Sequence, residues 1–126
     1  MTPQTVDRRP QQTFHQRLKE HMDSFALNIY SITKRFPKEE IYGMTSQMRR
    51  AALSVTLNYL EGHGRMTEKS RMSFLRISFG SLKECKYLVS FSRKVGYIDK
   101  DQERSLSDII NTIETMLWGI LRNAAE

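Results

Sequence analysis

From Phe14 onward the apolar residues Phe14, Leu18, Met22, Phe25, Ile29, Ile32 and Phe36 recur at offsets of four and three. At 3.6 residues per turn this spacing lays them along one helix face; a strand, with period two, would scatter them over both of its faces. The segment is therefore a helix with one apolar seam, and the seam needs a partner surface. Pro37 pushes the residue before it out of helical geometry, so the helix is expected to stop near Arg35 or Phe36.

The stretch "PKEEIYGMTS" reads as a connection with one helical turn after the proline. Thr45 or Ser46 is placed to cap a second helix, which runs through "RRAALSVTLNYLEGHGR" to Gly62 and Gly64, residues suited to a left-handed C-terminal cap. Thr67 caps a third helix that extends to about Val95 and is closed by Gly96. Asp99 and Gln102 have the spacing of a capping box, and Leu106, Ile109, Ile110, Ile113, Met116, Leu117 and Ile120 behind them predict a fourth amphipathic helix. No segment reads as a strand. Four helices with short connections predict an all-α, antiparallel up-down-up-down four-helix bundle over residues 13–126, preceded by a polar arm, residues 1–12, expected to be disordered.

A chain of 126 residues can bury roughly two thirds of its unfolded surface, so it needs no covalent staple. Its single cysteine, Cys85, can form no intrachain disulfide and lies among apolar residues, which favours the cytosol. The polar start gives no export signal and no apolar run is long enough to cross a bilayer, so a cytoplasmic protein away from membranes is expected.

The histidines, His15, His21 and His63, lack the spacing of metal ligands, and no phosphate loop, nucleophile elbow or zinc motif is present. They are expected to be surface residues. No metal, cofactor or catalytic group is expected. Arg17 and His21 share a helix face, but their spacing is one residue short of the Arg-to-His motif of HEPN-type RNases, which leaves RNA cleavage as an outlying alternative.

The net charge of +6 is uneven. Residues 1–64 carry 9 basic and 6 acidic groups, residues 65–94 carry 8 and 2, and residues 95–126 carry 3 and 6. Arg65, Lys69, Arg71, Lys83, Lys86, Arg93 and Lys94 are therefore the candidate contacts to RNA or DNA, with Arg8 and Arg9 on the N-terminal arm. A basic stripe of this kind meets phosphates without reading sequence, although it can equally be an ordinary solvated face.

A second pattern concerns polar residues. Arg50, Ser54, Asn58 and Glu61 follow one another at offsets of four, four and three, one line down the second helix. Arg76, Gly80 and Glu84 form a similar line on the third, with Ser81 beside them, and Gly80 would let another backbone approach. Both helices also carry apolar residues on more than one side, including Leu53, Leu57 and Leu60 on the second and Phe74, Ile77 and Leu88 on the third. A helix apolar on two sides calls for two partner surfaces. The two helices are thus expected to face their own bundle and a neighbouring subunit, with Arg50, Ser54, Asn58, Glu61, Arg76 and Glu84 as a structural polar network in which Asn58 and Glu61 are at least half-buried and tied to Arg50 or Arg76.

"FPKEEIYGMTSQMRRAALSVTLNYLEGHGR" and "FLRISFGSLKECKYLVSFSRKVGYI" together resemble the four-helix-bundle proteins encoded by intervening sequences of bacterial 23S rRNA genes. The family's motifs are matched by Phe36 to Glu40, Gly43 to Gln47, Arg49 to Ala52, Ser54 to Gly62 and Gly80 to Glu84. The chain departs from them at Thr56, where the family often has proline, and at Tyr59 and Leu60, where it has smaller apolar residues. The resemblance implies a cytosolic bundle that assembles as a ring, typically a homopentamer, with no established enzymatic activity and a suspected role in nucleic-acid binding. The accessory protein of diversity-generating retroelements is a related basic bundle, which leaves a protein partner as the alternative.

Overall fold

The computed structural model describes residues 12–125. Among them are four helices and no strand: α1 (Phe14–Thr33), α2 (Met44–His63), α3 (Glu68–Lys94) and α4 (Lys100–Ala125), with a single 3-10 turn at Lys38–Glu40 between the first two. α1 and α3 each pack on both α2 and α4, which closes the four apolar seams into one bundle. Its centre is built from Leu18, Met22, Phe25 and Ile29 of α1, Met48, Ala52 and Val55 of α2, Leu75, Leu82 and Val89 of α3, and Leu106, Ile110, Ile113 and Leu117 of α4. Each large side chain fully removed from water contributes about 1.5–3 kcal/mol to that association.

Local chemistry sets the helix ends. Thr13 and Gln16 form a capping box at the start of α1, the Gln16 amide donating to Thr13 Oγ1 at 3.1 Å and the Thr13 amide to Gln16 Oε1 at 2.8 Å. α1 has no basic residue in its own last turn. Arg49 of α2 supplies one: its Nε donates to Thr33 Oγ1 at 2.9 Å, its Nη2 to the Tyr30 carbonyl at 3.3 Å, and its guanidinium lies over the Tyr30 ring. Thr67 caps α3, and Asp99 and Gln102 form the reciprocal pair expected at the start of α4. Gly96, at φ 84°, ends α3 in a Schellman motif, with the Tyr97 amide donating to the Ser92 carbonyl and the Gly96 amide to that of Arg93.

Two expectations give way to the tertiary structure. Neither Thr45 nor Ser46 caps α2; the 3-10 turn swings Glu40 back, its Oε1 accepts from the Met44 amide at 3.2 Å, and Thr45 is buried. Gly62 and Gly64 are not left-handed, for among the described residues Gly96 alone has a positive φ. Gly62 instead lies where α2 touches α3: a Cβ there would sit 3.0 Å from the Arg71 carbonyl oxygen and 3.2 Å from Phe74 Cβ. Gly80 makes no close backbone contact within the chain, since a Cβ added to it would meet nothing within 4 Å. Arg8, Arg9 and the rest of residues 1–11 lie outside the described residues.

A candidate interface on α2 and α3

The polar line of α2 divides into two parts. Its middle joins α2 to α3: Ser54 Oγ and Ser81 Oγ are 2.7 Å apart, and Asn58 Nδ2 donates to the Ser54 carbonyl at 2.9 Å and to Ser54 Oγ at 3.0 Å. All three residues are half-buried. Deeper in the same seam, Ser78 Oγ donates to the Val55 carbonyl at 2.6 Å. Small hydroxyl residues let the two helices approach and satisfy the polar groups they bury.

The ends of the line are charged and exposed. Glu61 pairs with Arg65 on its own helix end at 3.3 Å, and Glu84 accepts from Gln47 Nε2 at 3.1 Å. Within one chain, then, Glu61 is neither buried nor tied to Arg50 or Arg76. Those two arginines are exposed and have no ion-pair partner among the described residues. Between the charges lie apolar side chains left in water: Leu57 is 60 % and Ile77 48 % exposed, with Leu53 and Leu60 also on the surface. Beside them Tyr42, Ser46, Arg50, Ser54 and Glu84 line an open groove of about 530 Å³.

The basic candidates do not gather into one patch. Lys69 and Lys94 are 25 positions apart on α3, about 37 Å at 1.5 Å per residue. Arg65, Lys69 and Arg71 lie at the α2–α3 end, where Arg65 covers the Phe74 ring and Arg71 pairs with Glu68 at 3.1 Å. Lys83 and Lys86 both reach across to Glu114 of α4, and the hydrogen bond from Lys83 leads the effects that hold the Glu114 carboxyl below its ordinary range. At the far end Lys94 is exposed, whereas Arg93 is half-buried with its Nε enclosed and unpaired among the described residues.

One cluster was not foreseen from the sequence. His15 and His63 stack face to face, ring centres 3.7 Å apart and planes within 8°, and His15 Nδ1 lies 2.8 Å from the Tyr59 hydroxyl. The signal lay in topology: His15 begins α1 and His63 ends α2, and antiparallel neighbours bring those ends together. Burial raises the Tyr59 pKa. Burial, then His63, then Lys19 lower that of His15. Arg17, by contrast, turns away from His21, with Nη1 donating to the Gln12 carbonyl at 2.9 Å. Cys85 is buried and its thiol is pushed up to about 12, so it is inert at neutral pH.

Among the described residues no helix is long and apolar enough to cross a membrane, and no three His, Cys, Asp or Glu side chains gather as a metal site. No protein of curated function matches the chain. A crystal structure from Bacteroides thetaiotaomicron VPI-5482, of a protein with unknown function from the S23 ribosomal protein family, superposes with a TM-score of 0.80 at 21 % identity, covering 87 % of this chain and 99 % of that one. At that identity the likeness shows the fold. In sequence, residues 16–119 match the family described as 23S rRNA-intervening sequence protein. That span includes all of α2 and α3 with their exposed apolar and charged surface, and the chain belongs to this family.

Proposed function

We propose that the protein is a non-enzymatic homo-oligomer, assembled through the outer face of α2 and α3, that holds nucleic acid by its phosphates. The observation that carries the assembly is the exposed set Leu53, Leu57, Leu60 and Ile77, flanked by Arg50 and Arg76 on one hand and Glu61 and Glu84 on the other. Large apolar groups kept in water favour association, and mixed charges around them give a second copy something to pair with. The homopentamer implied by the family resemblance supplies the expected number. Nucleic-acid binding is supported by the net charge of +6 and by the length of α3, whose cations a ring repeats around itself. Several weak phosphate contacts then act together through avidity.

Light scattering coupled to size exclusion tests the assembly. The parent is expected at a multiple of the 14.8 kDa chain mass, five-fold for the ring, and Leu57→Glu at the mass of one folded chain. A parent that is folded and monomeric in dilute solution removes the assembly; a dimer or tetramer removes only the number five. Salt-independent capture of a single protein in place of nucleic acid would move the function to a protein-interaction scaffold.

A further inference from the structure

On the α3–α4 seam, Trp118 of α4 is 53 % exposed beside Phe79 of α3, their ring centres 6.1 Å apart and their planes inclined at 40°. The two rings, with Lys83, Glu114 and Thr115, line a groove of about 410 Å³ along the α3–α4 seam. Lys83 lies over the Phe79 ring, 5.2 Å from its centre, and Glu114 holds both Lys83 and Lys86 at the groove's edge. The geometry points to a binding site for unpaired nucleotides of single-stranded RNA or DNA, with a base stacked on Trp118 and the adjoining phosphates on Lys83 and Lys86.

Each feature has a role in that pose. The open Trp118 ring offers a flat apolar surface, which any base can cover regardless of sequence. Bases in a duplex are already stacked, so the platform distinguishes single strands from double strands. Glu114 leaves the local charge at +1, counting Lys83 and Lys86 against it, and it holds both ammonium groups beside one carboxylate that lines the groove. Each ammonium has three donors, so pairing with Glu114 does not exhaust its capacity for a phosphate oxygen. An apolar protein surface would cover Trp118 as well, but it would leave the excess positive charge of Lys83 and Lys86 over Glu114 unmatched. The groove is lined by α3 and α4 residues, whereas Leu57 and Leu60 belong to α2.

The site rests on the nucleic-acid reading above, and one set of titrations separates the two. Trp118 is the chain's only tryptophan, so its fluorescence reports this groove alone. The full chain is titrated at low salt with a fluorescein-labelled oligo(rU) strand and with the same strand paired to oligo(rA). Anisotropy gives affinity and tryptophan emission gives stacking. The single strand is expected to quench Trp118. Trp118→Ala should weaken single-strand binding about ten-fold, within the range known for one stacked base, while leaving duplex binding and the salt slope unchanged. Trp118→Phe, which keeps a ring, should retain most of the affinity, and circular dichroism confirms that both variants fold. Single-strand binding without quenching, unchanged by Trp118→Ala, overturns this site and leaves the nucleic-acid function standing. Equal quenching by strand and duplex overturns the selectivity, and with it the stacked base. Binding to neither probe overturns both proposals.

Discussion

His15 shows what a single side chain can gain and lose by position. Its ring is held between Tyr59 and His63, close to Lys19, in a place that burial and neighbouring positive charge make unfavourable for a second proton. Its folded pKa is below the ordinary 6.5, so the unfolded chain takes up the proton first as pH falls. The stability of this corner is therefore complete above about pH 6.5 and declines as pH drops from there toward the lowered folded value. His15→Gln should reduce the loss in melting temperature between pH 7.5 and pH 5.5. Equal losses in parent and variant would show that His15 does not couple to folding.

At the scale of helices, two glycines that look alike in sequence behave oppositely. Gly62 is inside α2 but pressed on α3, where an added Cβ meets the Arg71 carbonyl at 3.0 Å, Phe74 Cβ at 3.2 Å and Leu75 Cδ2 at 3.2 Å. The first two belong to or adjoin helical backbone and yield only if α3 moves. Overpacking of this kind costs about 1–3 kcal/mol and outweighs the helix-propensity gain of about 1 kcal/mol, so Gly62→Ala should lower stability. Gly80, midway along α3, has open space within 4 Å, and Gly80→Ala should raise stability by about 0.5–1 kcal/mol. Urea unfolding of both variants measures the contrast. A lower midpoint for Gly80→Ala would place a second chain's backbone against that glycine.

Over the whole molecule, Lys19, Arg65, Arg71, Lys83 and Lys86 each sit beside a carboxylate, which blunts part of the basic stripe. Glu114 already serves as the anion for Lys83 and Lys86, so a phosphate approaching this part of α3 competes with a carboxylate. Glu114→Gln should therefore tighten binding of a labelled RNA and steepen the log-log salt dependence by about one contact, roughly 0.7–0.9. Changing Lys83 and Lys86 to Gln should flatten it by about one to two such contacts. A salt series read by anisotropy tests both. Identical slopes in all three proteins would remove the middle of α3 from the phosphate surface.

How much of this the sequence carries depends on the range of the interaction involved. The four helices, the Asp99–Gln102 and Thr67 caps and the glycine stop at Gly96 follow from residues within a turn or two of one another, and local spacing determines them. The α2 start departs from that spacing although its cap is also local, since the 3-10 turn brings Glu40, four residues back, onto the Met44 amide. The role of Gly62 is not local, because its constraint is the carbonyl of Arg71 on another helix. The polar line shows the same division. Asn58 with Ser54 and Glu61 with Arg65 are pairs four residues apart, set by the spacing itself, whereas the Ser54–Ser81 bond depends on the rotation that brings α2 against α3. The His15–Tyr59–His63 stack and the Trp118–Phe79 groove each join residues about 40 or more positions apart. Periodicity fixes which face of a helix is apolar; only packing in three dimensions decides which polar and aromatic groups, far apart along the chain, meet at the bundle's seams and ends.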